Sequence, residues 1–123
     1  MLVKEKKTLI LGATPDSSRY AYLAANRLVR TGHPIVNVGI KKGEVAGVAI
    51  EPAEEVHSDI DTITLYIGTR NQPPLYDYIL AINPKRIIFN PGTENPELRQ
   101  MAKERGIETL SACTLVMLST GEY

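Results

Sequence analysis

The sequence predicts an α/β fold in three layers, with a mainly parallel sheet of five to six strands between helices. Three observations predict it. Short apolar runs (KTLILG, PIVNV, TITLYI, RIIFN) recur along the chain and lack the polar alternation of strands with one wet face. Segments with helical spacing of apolar residues separate several of these runs. Gly, Pro and Asn punctuate the changes of pattern. Strands alternating with helices at this spacing give a parallel sheet with right-handed crossovers.

The elements follow in order. Lys7 to Gly12 is the first buried strand. Ser17 to Thr31 is a helix with Tyr20, Leu23, Ala24, Leu28 and Val29 on its apolar face, capped by Asp16, Ser17 or Ser18 and stopped by Gly32. Pro34 to Val38 is the second strand. Gly39 to Ala49 is glycine-rich and reads as irregular, with a short extended piece near Val45 to Ile50. Thr62 to Ile67 is β-branched and aromatic, a strand. Gln72 to Ile82 has a helical pattern that Asn83-Pro84 ends, with Pro73 and Pro74 tolerated in the first turn. Arg86 to Asn90 is a strand. Asn95-Pro96-Glu97 starts a helix with a cap, a first-position proline and a first-turn acid, and it runs to Gly106. Glu108 to Leu110 is a short last strand, and Ala112 to Ser119 an apolar helix or turn.

The chain has 123 residues, enough for one core, and is read as one domain over 1–123. Apolar residues make up 43% and charged residues 23%, and the formal charge is zero. That balance gives no reason to expect nucleic acid or an acidic membrane surface as partner. Cys113 is the lone cysteine, which suits a reducing compartment. Leu9-Ile10-Leu11 is too short for a signal or spanning segment, so a cytoplasmic location is expected.

Four loops carry the candidate chemistry, all at strand ends where open α/β sheets bind ligands. After the first strand come Gly12, Ala13, Thr14, Pro15, Asp16, Ser17, Ser18 and Arg19. A helix start favours a phosphate, glycine allows close backbone approach, the hydroxyls donate, and Arg19 offers a charged fork. The dinucleotide fingerprint is absent, because Thr14 and Ser17 stand where it needs glycine. An ordinary turn with a surface arginine explains the same residues equally well. After the second strand, Ile40, Lys41 and Lys42 stand where an NAD site places an acid. Two cations there argue for a ribose bearing an extra phosphate, as in NADP or coenzyme A. A solvated lysine pair is the plainer reading.

Tyr66, Ile67 and Gly68 end the strand from Thr62, where Tyr66 either stacks on a base or turns into the core. Arg70 either meets a phosphate or is simply exposed. Asn90, Pro91 and Gly92 form a tight loop at the same edge. Cys113 is either close to a thiol ligand or buried and inert. His33 and His57 show no carboxylate or nucleophile at a telling spacing, and no metal cluster or catalytic constellation is evident.

Taken in order, Gly12-Ala13-Thr14 with Arg19, Lys41-Lys42-Gly43 with Gly47, Asn90-Pro91-Gly92, Gly106 and Cys113 resemble the CoA-binding domain family. This is the Rossmann-type domain also found at the start of the succinyl-CoA synthetase α subunit, and small freestanding bacterial members look most similar. The resemblance spans Lys7 to Leu118. It implies phosphate contacts from Gly12, Thr14, Ser17 and Arg19. It places Ile40, Lys41 and Lys42 near the adenosine 3′-phosphate, and Tyr66 to Gly68 and Asn90 to Gly92 beside adenine or pantetheine. Many relatives have Val-Asn-Pro after the second strand, where this chain has Val38-Gly39-Ile40. The synthetase's phosphorylated histidine lies in a second domain that has no counterpart here, so the resemblance implies binding rather than ligase chemistry.

Three functions are therefore expected to compete. The leading one is non-catalytic binding of coenzyme A or an acyl-CoA. The second is an NADP-linked oxidoreductase or redox sensor, with Tyr66, Tyr76, Tyr78 or His57 as loose proton-donor candidates. The third is a regulatory subunit of a partner protein, or a homo-oligomer, using Gln72 to Tyr78 and the apolar C-terminus as surfaces.

Overall fold

The computed structural model describes residues 4–123. One seven-stranded sheet runs in the order β3-β4-β2-β1-β5-β6-β7. The strands are β1 (Thr8–Leu11), β2 (Ile35–Val38), β3 (Glu44–Val45), β4 (Val48–Glu51), β5 (Thr62–Leu65), β6 (Arg86–Phe89) and β7 (Glu108–Ser111). All pairings are parallel except β3 with β4. The helices are α1 (Tyr20–Arg30), α2 (Tyr76–Ile82), α3 (Pro96–Glu104) and α4 (Thr114–Thr120).

β1, β2, β5 and β6 are buried at every residue, which is why their sequences read as continuous apolar runs. Their register lines up two rows on one face: Leu9, Val36, Ile63 and Ile87, then Leu11, Val38, Leu65 and Phe89. These rows pack under Ile79, Leu80 and Ile82 of α2 and Leu98 and Ala102 of α3. On the other face, Ile10 and Ile35 meet Ala21, Ala25 and Leu28 of α1, with Leu118 of α4 alongside. The expected three layers are thus present.

The local expectations need four corrections. The face of α1 is Ala21, Ala24, Ala25 and Leu28; Tyr20, Leu23 and Val29 are exposed. Small alanines let the helix lie close to the sheet, so the large residues flank the contact instead of filling it. α1 also starts at Tyr20 and not at Ser17. Its N-cap is Arg19, with extended backbone and no side-chain cap bond. Asp16, Ser17 and Ser18 do not cap it, because Asp16 Oδ1 is taken by Ser18, from its N–H at 2.9 Å and its hydroxyl at 2.7 Å.

The extended piece expected near Val45 to Ile50 is present as β4, but the stretch before it, read as irregular, supplies β3, and the resulting hairpin gives the sheet an antiparallel edge. Ala46 and Gly47, both at positive φ (54° and 81°), form its two-residue turn. The Asn37 amide, fully buried on β2, ties both hairpin strands by donating to Val45 O at 3.1 Å and Val48 O at 3.0 Å. The helix expected from Gln72 is α-helical only from Tyr76, after two 3₁₀ turns, Thr69–Asn71 and Pro73–Leu75.

The strand order has a functional consequence. The chain leaves β1 through α1 to β2 and β4 on one flank, then crosses back to β5 on the other. α1 and α2 therefore lie on opposite faces, and a crevice opens between the ends of β1 and β5.

Candidate functional site

A cleft of about 1240 Å³ opens over the carboxyl ends of β4, β2, β1, β5 and β6. Its floor is the turn after β1. The N–H groups of Gly12 and Ala13 both donate to Val38 O, each at 2.9 Å, so the turn is tied to the end of β2. Gly12 takes φ +104°, and a Cβ there would come within 2.9 Å of Tyr66 O. A Cβ on Gly39 would come within 2.3 Å of Ala13 O. The two glycines let the turn sit wedged between the ends of β2 and β5.

The charged side of the cleft comes from the loops after β1 and β2: Arg19, Lys41 and Lys42, with one acid, Asp16. The Ser18 hydroxyl and N–H hold the Asp16 carboxyl below its ordinary range. Tyr20 and Ala21 also border the cleft, so the uncapped first turn of α1 faces it. An uncapped helix start carries free N–H groups and partial positive charge. The loops after β5 and β6 supply an uncharged side that includes Ile67, Gly68, Asn71, Pro74, Leu75, Pro91, Gly92 and Thr93. Ile50, Pro52 and Ala53, from the end of β4, complete the wall.

The candidate residues separate on this geometry. Gly12, Ala13, Thr14, Arg19, Ile40, Lys41, Lys42, Tyr66, Ile67, Gly68, Pro91 and Gly92 border one cleft. Ile40 is fully exposed at it. Tyr66 borders it but turns its hydroxyl inward, where it is buried without a partner, and burial pushes its pKa up to about 12. Ser17, Ser18, Asn90 and Cys113 do not border the cleft. Ser17 and Ser18 stand outside it on the exposed turn that Asp16 organises. Asn90 is consumed by the scaffold. Its amide donates to Thr64 Oγ1 at 2.8 Å and Leu65 O at 2.9 Å, and its Oδ1 accepts from Thr114 N at 2.9 Å. Cys113 is half-buried as the N-cap of α4. Arg70 is exposed, outside the cleft.

Sequence reasoning missed the wall at Pro52 and Ala53 and the residue that braces the opposite wall. Gln72 is fully buried and donates to Ile67 O and Thr93 O, both at 2.8 Å. It also missed the setting of His57. That imidazole lies 2.9 Å from Glu51 through Nε2 and 3.5 Å from Glu55 through Nδ1. The carboxylates lie six and two residues away, a spacing that becomes informative only once the loop after β4 turns back. Among the described residues no helix is long and apolar enough to cross a membrane.

A model of the family described as "CoA binding domain" matches residues 6–119. The Bacillus subtilis (strain 168) protein YneT is 22% identical over 107 residues, 86% of this chain and 79% of its own. A crystal structure of an uncharacterized protein is 56% identical, covers 98% of this chain and 100% of its own, and superposes with a TM-score of 0.96. A Thermus thermophilus structure, cell-free ID.343, is 22% identical with a TM-score of 0.84, covering 96% of this chain and 90% of its own. A Pyrococcus horikoshii OT3 protein is also 22% identical, with a TM-score of 0.81 over 94% of this chain and 82% of its own. The latter two likenesses concern the fold. The family match spans nearly all of the chain and includes every loop of the cleft, so the chain belongs to the CoA-binding domain family.

Proposed function

We propose that the cleft binds coenzyme A or an acyl-CoA. The observation that carries this reading is the division of one cleft into a cationic side and an uncharged side. Coenzyme A has the same division, with a phosphorylated nucleotide at one end and a largely uncharged pantetheine arm at the other. Arg19 and the open first turn of α1 would take the pyrophosphate. Lys41 and Lys42 would take the 3′-phosphate. The arm would run past Ile67, Gly68, Pro91 and Gly92 toward Leu75.

The volume and lining of the cleft support such a ligand. The cleft exceeds the usual volume of a drug-sized site, as a ligand this long requires. Gly68 and Gly92 border it with no neighbouring atom within 4 Å of where a Cβ would stand, so neither position blocks the arm. The bound group itself would supply a thiol or thioester. The chain's part is to hold the phosphates and align the arm. Binding without catalysis is the proposed role.

The lysines serve the 2′-phosphate of NADP equally well, so NADPH is the rival ligand. A ligand that binds only the folded state raises its stability by about 2.7 kcal/mol at a hundredfold excess over Kd. Thermal unfolding with coenzyme A, dephospho-CoA, NADPH and NAD tests the choice. A shift with coenzyme A that shrinks with dephospho-CoA is expected. A shift with NADPH alone would replace this reading with the oxidoreductase one, and no shift with coenzyme A would remove it.

A further inference from the structure

Glu51 ends β4, while Glu55 and His57 lie on the segment that follows. One ligand-type atom from each residue can be chosen so that all lie within 4.8 Å of one another. His57 is largely enclosed, with its side chain 14% exposed, against 33% for Glu51 and 73% for Glu55. The ring is held by a hydrogen bond between Nε2 and Glu51 Oε2 at 2.9 Å, and its Nδ1 lies 3.5 Å from Glu55 Oε2.

Two further observations bear on the cluster. Among the described residues, neither carboxylate forms an ion pair with a lysine or arginine. Beside them, the Tyr78 hydroxyl is closed off from solvent and has no hydrogen-bond partner. Two carboxylates and a largely enclosed imidazole thus converge within ligand distance of one another.

We propose that Glu51, Glu55 and His57 bind one divalent transition-metal ion, with Zn²⁺ the best match to an imidazole and two carboxylates. Glu51 and His57 Nε2 are ligands. Glu55, whose side chain is largely exposed, is the third ligand. Water would complete the shell. The ligand-type atoms of Glu51 and His57 need only to part slightly to admit the ion. The ion ties the segment after β4 back to the strand. Pro52 and Ala53 lie between the ligands in sequence and form part of the cleft wall, so the ion braces that wall. The metal site stands on its own residues and does not depend on which nucleotide the cleft takes.

Titration of the full chain with Co²⁺, followed by its visible absorption, tests the site, together with Zn²⁺ competition against a chromophoric chelator. One equivalent bound in the low micromolar range is expected. His57→Gln and Glu55→Gln should each weaken binding by roughly tenfold or more. Glu55 is exposed, so its variant keeps the fold, and circular dichroism checks both. Cys113→Ser should bind as the parent does. Failure to hold either ion at micromolar concentration would overturn the site and leave His57 in an internal ion pair. Binding that persists in both cluster variants, or vanishes with Cys113→Ser, would also overturn it.

Discussion

Gly39 has no positive φ, so its value is the absence of a side chain, not its freedom. A Cβ would press against the backbone of Ala13 at 2.3 Å, and backbone does not yield as a side-chain tip does. Gly39→Ala should lower stability by roughly 1–3 kcal/mol, read from the urea midpoint. An unchanged midpoint would mean the turn moves freely. Lys41 and Lys42 make the opposite case, since they are exposed and make no ion pair among the described residues. The double change Lys41→Ala, Lys42→Ala should leave the fold intact. It should weaken coenzyme A by about tenfold, or about 1.4 kcal/mol, and dephospho-CoA far less. Equal losses measured by calorimetry would remove the lysines from the 3′-phosphate.

Among the elements, the start of α3 was legible in the sequence and the start of α1 was not. Asn95 caps α3 through Leu98 N at 3.2 Å, with Pro96 next, because that signal lies entirely within four residues. Before α1, three polar residues compete for one role, and Asp16 spends its carboxylate on a separate turn. Gln72 shows the same limit over a longer range. It joins the loop after β5 to the loop after β6 by donating to Ile67 O and Thr93 O, and it accepts from Asn95 Nδ2 at 2.8 Å. Its partners lie 5, 21 and 23 residues away, and no local pattern announces them. Gln72→Leu would strand these groups inside the protein, at roughly 1–3 kcal/mol for each one left unpaired. A lower denaturation midpoint is expected, with faster amide exchange at residues 67–72 and 93–95. Retained protection there would show that the walls do not rely on this residue.

At the scale of the whole molecule, the two edges of the sheet do different work. The cleft occupies the carboxyl edge. The opposite edge gathers Lys6, His33, Arg86 and Tyr123 into one cluster. The Arg86 guanidinium lies 4.4 Å from the Tyr123 ring centre, and the His33 ring is 5.0 Å from the same ring. Tyr123 also bonds Thr8 through its hydroxyl and Lys6 through its carbonyl. His33 Nδ1 accepts the Lys6 N–H at 3.1 Å, which requires that nitrogen to be unprotonated. Burial, then the charges of Lys6 and Arg86, hold the His33 pKa below its ordinary 6.5. The unfolded chain therefore takes up a proton at a higher pH than the folded one. Stability contributed here is full above the ordinary value and declines as pH falls toward the folded value. His33→Asn should flatten the fall in unfolding free energy between about pH 7 and 5. An identical slope in the variant would place the acid sensitivity elsewhere.

The sequence by itself determined the α/β alternation, the buried central strands and the four loops from which candidate contacts come. These rest on periodicity and local turn chemistry, which act over a few residues. Only the tertiary structure decided which of those loops share a cleft, because that depends on strand order, and the return from β4 to β5 leaves no local trace. It also withdrew Asn90 into the scaffold, turned the Tyr66 hydroxyl inward and brought His57 against two glutamates. Each of these depends on packing between residues distant in sequence or on a loop folding back. Burial and partnership are set by the assembled molecule, and a residue's type alone does not carry them.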